Sequence, residues 1–248
     1  MTKKVLGVRI DSLNINEAKQ KVRNFLSSTK QHRIFTPNPE ILVKAKKDNY
    51  FKDVLNSGDL NICDGFGLSL ISGVERIPGV DFMLDICRIA EKNNNSIFLL
   101  GSGKSEVVEK TSKELKKRFP SLKIAGMSRG PTIKENSQNG IEINHMENYN
   151  TIAEINGAEP DILFVAFGMG KQEKWIAENL HKMPSVKIAM GVGGSFDFIS
   201  GTIKRAPCWM RKIGLEWVYR LIKQPSRFLR IINATITFTY LAFKEKIL

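Results

Sequence analysis

One aspartate of this chain, Asp64, has the surroundings of a catalytic carboxylate. It follows the short apolar run 60–63 and precedes Gly65, which places it at the predicted carboxyl end of a strand. A carboxylate in such a turn can act as a general base toward a hydroxyl group. It can equally be a turn-forming residue that bonds its own backbone, and this position alone favours the turn-forming interpretation. Asp197 has the same ambiguity, since it fits a ribose hydroxyl, a uracil N–H or the cap of a turn.

Glycine-rich or polar turns follow five of the predicted strands, at 36–38, 64–65, 101–103, 168–172 and 191–197. Glycine lets backbone N–H groups approach phosphate oxygens, and a helix that begins after such a turn adds a favourable partial charge. Because ligands of open α/β sheets bind outside the carboxyl ends of the strands, these turns predict a ligand site. The candidate binding residues in them are Asn38, Gly101, Ser102, Gly168, Lys171, Gly193, Gly194 and Asp197.

Several familiar kinds of site are not supported. The turns match neither the phosphate loop of nucleotide hydrolases nor the full glycine spacing of dinucleotide-binding dehydrogenases. The three histidines do not pair with cysteines or carboxylates at metal-ligand spacing, so we expect no structural zinc. The three cysteines are widely separated and odd in number, which favours reduced thiols over a disulfide framework. No serine stands in the Gly-x-Ser-x-Gly turn of serine hydrolases.

The C-terminal stretch 203–248 is strongly basic. It contains ten Lys and Arg residues against two Glu, which accounts for +8 of the formal net charge of +13. Its mixture of basic and aromatic residues suits an interfacial helix on anionic lipid, a nucleic-acid surface, or a solvated helix that packs its apolar side on the core. The uncharged run 231–243 favours lipid, although its 13 residues fall short of the roughly 20 that a spanning helix needs. The candidate anion ligands in this stretch are Arg205, Arg220, Arg227 and Arg230.

Strands and helices that alternate along the chain must position these residues. Apolar runs such as 96–100 and 161–167 predict buried strands, and helical spacing of apolar residues predicts the intervening helices. Near-continuous apolar strands predict an α/β fold in which helices cover both faces of a parallel sheet. We also expect a single strand at 5–10 and a loop over 126–140. Acidic residues nearly vanish after 203, which predicts an α/β domain, 1–202, and a basic helical appendage, 203–248.

A series of short motifs occurs in a fixed order along nearly the whole chain. They are Thr36-Pro37-Asn38-Pro39-Glu40, Asp64-Gly65-x-Gly67, Glu75-Arg76-x-x-Gly79-x-Asp81, Gly168-x-x-Lys171-Gln172-Glu173-Lys174-Trp175, Gly191-Val192-Gly193-Gly194-Ser195-Phe196-Asp197, Lys204-Arg205-Ala206-Pro207 and Gly214-Leu215-Glu216-Trp217-x-Tyr219-Arg220-Leu221. Together they resemble the WecG/TagA/CpsF glycosyltransferases. The joint match is highly specific, although no single motif is.

The resemblance implies a Rossmann-like α/β catalytic domain and an inverting transfer from a UDP-linked N-acetylhexosamine. The acceptor that it implies is a sugar on undecaprenyl diphosphate, with N-acetylmannosamine transfer onto GlcNAc as the nearest activity. It implies Asp64 as the catalytic base, Thr36 and Gln172 as groups that position the substrates, and Arg76 with the tail arginines as ligands of the diphosphate. It implies no obligatory metal, and we expect no other cofactor.

Two other interpretations stay open at this point. One is a transferase of the same family that uses UDP-N-acetylmannosaminuronic acid or another hexose. The other is a non-enzymatic basic protein that binds nucleotides or nucleic acid. We expect the enzyme. Its expected partners are the UDP-sugar, the lipid-linked acceptor and an anionic membrane surface, and we expect no nucleic-acid partner. Whether the chain forms a homo-oligomer stays open. Because the chain opens without the apolar stretch of a signal peptide, we expect a cytoplasmic protein attached peripherally to the inner face of the membrane.

Overall fold

The N-terminus forms a β-hairpin in the computed structural model, which describes residues 1–101, 103–136, 138–212, 215–216, 218–219 and 228–247. Strands β1 (Thr2–Val5) and β2 (Val8–Asp11) pair in antiparallel register, with Val5 opposite Val8. Leu6 and Gly7 make the turn, with φ angles of 50° and 79°. The prediction of one strand at 5–10 is therefore wrong, because the turn contains a buried leucine and so falls inside an unbroken apolar run.

Eight further strands follow, and six of them form the central sheet. They are β3 (His32–Phe35), β4 (Leu60–Asn61), β5 (Ser96–Gly101), β6 (Lys123–Ser128), β7 (Ile133–Glu135), β8 (Ile141–Ile143), β9 (Ile162–Ala166) and β10 (Ile188–Gly191). The order across the central sheet is β4-β3-β10-β9-β5-β6, and every neighbouring pair in it is parallel. The predicted parallel sheet is confirmed. β7 and β8 form a separate antiparallel hairpin.

Within the described ranges the α-helices are α1 (Ile15–Leu26), α2 (Pro39–Lys47), α3 (Asn49–Asn56), α4 (Phe66–Ser72), α5 (Gly79–Lys92), α6 (Ser105–Arg118), α7 (His145–Ala158), α8 (Lys171–Asn179), α9 (Ser195–Ile199), α10 (Cys208–Lys212) and α11 (Phe228–Ile247). Local sequence fixes where several of them begin. Asn14 caps α1 by accepting the N–H groups of Asn16 and Glu17. Pro39 opens α2, where a missing N–H leaves no hydrogen bond unmade.

Helices cover both faces of the central sheet. Side chains that alternate along a strand point to opposite faces. On β5, Ile97 and Leu99 belong to one apolar core, while Phe98 and Leu100 belong to a second core on the other face. All five residues of β9 are buried. The predicted two-sided covering is therefore confirmed.

The stretch 126–140 contains more regular structure than the sequence indicated. β6 continues to Ser128, and β7 pairs with β8 so that Ile133 lies opposite Ile143. Lys171 supports β7 by donating to the carbonyl of Ile133 at 3.3 Å. The predicted loop is wrong for these residues, because short polar strands carry little hydrophobic pattern. Helix α3, which begins after its cap residue Asp48, was not predicted from the sequence either.

The C-terminal helix α11 packs on α2 and α4 through two buried positions. Phe238 and Ala242 join the apolar core that contains Leu42 and Leu68. No helix within the described ranges combines the length and the apolar character needed to cross a membrane. The predicted division of the chain at 202 and 203 stays a prediction.

A buried ion pair provides a test of this packing. Lys174 of α8 is completely buried and lies 2.6 Å from Asp48, whose side chain is 5% exposed. We expect Lys174→Met to lower the free energy of unfolding by about 3–5 kcal/mol, because a buried carboxylate loses its partner. The control is Lys117→Met, since Lys117 lies at the same 2.6 Å from Glu114 but is 71% exposed. That variant should lose much less stability, because an exposed ion pair contributes little. Urea unfolding measures both, and equal losses would contradict the argument from burial.

Candidate active site

The direction of the chain reverses between the neighbouring strands β5 and β9. From β5 the chain passes through α6 to β6 on one side, and from β9 it passes through α8 to β10 on the other. Loops that leave in opposite directions open a crevice at the carboxyl ends of such strands. A cavity of about 440 Å³ lies at this point, and its walls come from the turns that follow β5, β6, β9 and β10. Its size is that of a small-molecule site.

Five of the predicted binding residues line this cavity. Gly168 and Lys171 follow β9, while Gly193, Gly194 and Asp197 follow β10. Gly168 and Gly193 have φ angles of 86° and 52°, which glycine adopts without strain. Three of the five predicted turns, at 101–103, 168–172 and 191–197, therefore line the cavity, while those at 36–38 and 64–65 do not, and the contact of each residue with a ligand stays a prediction.

Gly101 lies at the end of β5, next to the cavity wall. Its φ angle is 117°, and a Cβ at this position would lie 2.7 Å from the carbonyl carbon of Ala166 on β9. Glycine is thus needed for the close approach of the two strand ends, while ligand binding by Gly101 stays a prediction. Gly103, two residues on, does line the cavity. Ser102 lies outside the described residues.

The side chain of Gln172 joins the two turns that flank the cavity. It is 2% exposed, its Oε1 accepts the N–H of Gly193 at 2.9 Å, and its Nε2 donates to Glu173 at 2.8 Å. Glu173 in turn accepts the N–H of Gly170, and burial raises the pKa of its carboxyl group. Both ends of the Gln172 amide are therefore engaged within the protein. Its predicted contact with substrate stays a prediction.

Asp64, Thr36 and Asn38 gather at the ends of the neighbouring strands β4 and β3. A Cβ on Gly79, the first residue of α5, would lie 3.2 Å from Oδ2 of Asp64 and 3.3 Å from Cγ2 of Thr36. Thr36 is buried and Asp64 is half-buried. Asn38 caps α2 by accepting the N–H of Ile41 at 3.0 Å. The predicted base Asp64 and the hydroxyl of Thr36, predicted to position the substrates, therefore both lie next to the first residue of α5. The start of a helix favours negative charge.

Arg76 lies beside the same strand end. The backbone N–H of Ile77 donates to the carbonyl of Cys63 at 2.9 Å, so the segment that enters α5 runs alongside the residue before Asp64. Burial raises the pKa of the Cys63 thiol to about 12, with Asp64 adding to the rise and Arg76 opposing it. Both charged groups are thus close enough to act on one thiol.

Three arginines and two carboxylates join the appendage to the start of α5. Arg205 makes a two-pronged ion pair with Asp81, at 2.6 and 3.2 Å. Glu216 lies 3.4 Å from Arg76 and 3.6 Å from Arg205. Arg211 lies 3.9 Å from Asp81, and its backbone carbonyl accepts a hydrogen bond from Arg76 at 2.9 Å. This arginine cluster brings together Arg76 and Arg205, two of the predicted diphosphate ligands, beside the first turn of α5.

The cavity and the Asp64 group lie at different places along one edge of the sheet. Asp64 follows β4 and Gly168 follows β9, with β3 and β10 between them. Neighbouring strands are about 4.8 Å apart, so these two strand ends are roughly 14 Å apart. A ligand that contacts both groups must therefore be extended along the sheet edge.

The similarity of the chain to known proteins shows its family. Residues 3–248 match the model of the Glycosyl transferase WecG/TagA/CpsF family. The chain belongs to this family. The resemblance drawn from the motifs is therefore confirmed, and the chain is a member of a family of glycosyltransferases.

Two relatives in the family carry the same name, N-acetylglucosaminyldiphosphoundecaprenol N-acetyl-beta-D-mannosaminyltransferase. The protein of Bacillus subtilis (strain 168) is 36% identical over 207 residues, which cover 81% of this chain and 75% of the relative. The protein of Staphylococcus aureus (strain MW2) is 30% identical over 250 residues, which cover 98% of this chain and 92% of the relative.

One wall of the cavity was not predicted from the sequence of this family member. Arg129, Gly130, Pro131 and Thr132, which follow β6, all line it. The sequence did contain a signal for this wall, because an arginine and a glycine directly follow β6. It was overlooked because the loop was predicted to begin at 126, three residues too early. Asp81 was also not proposed as a site residue, because its partner Arg205 lies 124 positions away in the sequence.

The remaining predicted ligands fall in the tail. Arg220 and Arg227 lie outside the described residues, and for Arg230 only a place in the backbone of α11 is described. Their contacts stay predictions. In the part of the chain that the structure describes, no three histidine, cysteine or carboxylate side chains converge as metal ligands would.

The docking of the appendage can be tested at Glu216. We expect Glu216→Ala to loosen residues 204–212, since Arg76 and Arg205 lose the carboxylate that they share. Trypsin should then cleave after Lys204 or Lys212 roughly 5- to 30-fold faster, which corresponds to a loss of 1–2 kcal/mol. The control is Glu245→Ala, because Glu245 holds α11 to the N–H of Leu6 at 2.7 Å, outside the cluster. Equal cleavage rates in the two variants would contradict this docking role.

Proposed function

We propose that this chain transfers N-acetylmannosamine from UDP to the GlcNAc of an undecaprenyl-diphosphate-linked acceptor, in the synthesis of a cell-wall or surface polysaccharide. The relatives named above support the choice of sugar and acceptor. One structural observation carries the proposal: a carboxylate and a cavity of nucleotide size share one edge of the sheet, roughly 14 Å apart. A sugar nucleotide extended along that edge has its nucleoside in the cavity and its sugar near Asp64.

In this reaction Asp64 accepts the proton of the acceptor hydroxyl. The hydroxyl oxygen forms a bond to the anomeric carbon as the bond from that carbon to the diphosphate breaks, and UDP leaves from the opposite side. The electron pair of the broken bond goes to the diphosphate, and the configuration at the anomeric carbon inverts. The start of α5 beside Asp64 and Thr36 supports this assignment, because a positioned carboxylate is what a general base requires.

The leaving diphosphate gathers negative charge that the protein must stabilise. The turns that contain Gly168 and Gly194 line the cavity together with Lys171, and their backbone N–H groups and its ammonium group can stabilise this charge. The arginine cluster adds three cations against the carboxylates of Asp81 and Glu216. We infer that these groups take the place that a metal ion has in other transferases, so that the reaction needs no metal.

The acceptor of this proposed reaction is membrane-bound, so the enzyme must work at a membrane. We infer peripheral attachment to the cytoplasmic face through the basic tail. Its formal charge of +8 over residues 203–248 suits an anionic surface, and the exposed Trp209 of α10 suits the headgroup region.

The base assignment is tested with Asp64→Asn, which keeps the shape of the side chain and removes its basicity. We expect turnover to fall roughly 10²- to 10⁴-fold while UDP binding stays unchanged, because only the proton transfer is affected. Asp53→Asn, at an exposed position on α3, is the control for an ordinary carboxylate. Calorimetry measures UDP binding and UDP release measures turnover. Full turnover by a folded Asp64→Asn enzyme would show that another group is the base.

The donor is tested with a panel of UDP-sugars against a GlcNAc-diphosphate-lipid acceptor. We expect UDP-N-acetylmannosamine to give the highest rate of UDP release, with the same rate in the presence of EDTA. A preference for UDP-N-acetylmannosaminuronic acid would favour the alternative within the family. Loss of activity in EDTA that magnesium restores would contradict the metal-independent mechanism. If no donor released UDP while the protein bound nucleic acid, the proposal of a transferase would fail.

A further inference from the structure

Exposed apolar side chains are concentrated on two elements that pack together. Eleven large apolar residues in the described ranges are exposed, and five of them lie on α4 and α11. We call these five the apolar face: Phe66, Leu70, Ile236, Tyr240 and Phe243. α11 contacts α4 directly, so the two elements present neighbouring surfaces.

The outward side of α4 has no charged residue. The helix reads Phe-Gly-Leu-Ser-Leu-Ile-Ser, with Leu68 and Ser72 buried against the protein. Phe66 and Leu70 lie one turn apart on the other side and are 46% and 73% exposed. The outward side of a helix in a water-soluble protein normally carries charged or polar residues. An exposed leucine and phenylalanine on this side of the helix therefore indicate a surface that binds a partner.

α11 repeats this arrangement. Phe238 and Ala242 point inward, while Ile236, Tyr240 and Phe243 are 65%, 65% and 59% exposed on the outward side. No charged residue occurs between 231 and 243. The exposed Lys244 follows directly, so the apolar surface is bordered by positive charge.

We propose that the apolar face docks on an anionic lipid bilayer, with α4 of the catalytic domain inserting into the interface together with α11. The charge of the chain selects lipid as the occupant, because the C-terminal stretch 203–248, which includes α11, has ten cations against two carboxylates. Apolar and aromatic side chains bordered by basic residues are what interfacial helices use on anionic membranes.

The docking by α4 has a direct consequence for the reaction, and this step rests on the proposed function. α4 begins two residues after Asp64. Insertion of Phe66 and Leu70 therefore brings the base close to the headgroup level, where the sugar of a lipid-linked acceptor lies. The membrane contact then positions the active site itself, in addition to holding the tail.

The first test is binding to vesicles of equal parts phosphatidylglycerol and phosphatidylcholine, measured by co-sedimentation. We expect Leu70→Asp and, separately, Phe243→Asp to bind roughly ten- to a hundred-fold more weakly than the natural chain, because each removes one apolar side chain that docking would bury in the bilayer. The matched controls are Met146→Asp and Tyr149→Asp, at positions on α7 that are 66% and 69% exposed. Circular dichroism verifies that each variant is folded. Unchanged binding by Leu70→Asp would overturn the role of α4.

The second test separates the docking from the transfer reaction. We expect Leu70→Asp to act normally on a water-soluble acceptor with a short prenyl chain and poorly on a full-length acceptor embedded in vesicles. Equal activity on both would overturn the inference. If the natural chain used neither acceptor but still needed Leu70 to bind vesicles, the proposed function would fail and the docking would stand. If Leu70→Asp converted a dimer into monomers and left vesicle binding unchanged, the face would join two copies and the inference would be overturned.

Discussion

The start of α5 packs against the ends of β3 and β4 with almost no space between them. A Cβ on Gly79 would lie 3.2 Å from Asp64 and 3.3 Å from Thr36, which is tighter than nearly all such contacts in proteins. Glycine at this position therefore lets a 14-residue helix begin beside the carboxylate. The start of a helix carries a partial positive charge that favours a nearby anion, so this contact supports the role proposed for Asp64.

A second contact keeps the nucleotide-sized cavity in shape. The amide of Gln172 bonds both the turn after β10 and the buried carboxylate of Glu173. Glu173 also accepts the N–H of Gly170, so one connected set of hydrogen bonds spans two strand ends. Buried polar groups that are fully bonded hold a loop in one conformation, since any alternative leaves a donor or an acceptor without a partner. The two glycine-rich turns beside the cavity are thereby held in place before a ligand arrives.

The parts of the fold that the sequence predicted well are those with local signals. Buried parallel strands read as continuous apolar runs, and glycine at their ends marks the turns, so the sheet and most of the cavity followed from the sequence. The hairpin β7–β8 did not, because its strands have three residues each and carry charged side chains outward. The arginine cluster could not be predicted either. Its ion pairs join positions 124 and 140 residues apart, and no local pattern reports which carboxylate a distant arginine will meet.

The segment 64–81 combines functions that could have been on separate parts of the molecule. It begins with the carboxylate Asp64, continues through the exposed helix α4 and Arg76, and ends at Asp81, which binds Arg205 of the appendage. The hydrogen bond from Ile77 to the carbonyl of Cys63 folds this segment back on itself, so its two ends lie side by side. A movement of α4 or of the appendage therefore acts on a segment that also holds the carboxylate. Helix α4, the ion pair with Arg205 and the proposed base Asp64 are thus connected through fewer than twenty residues.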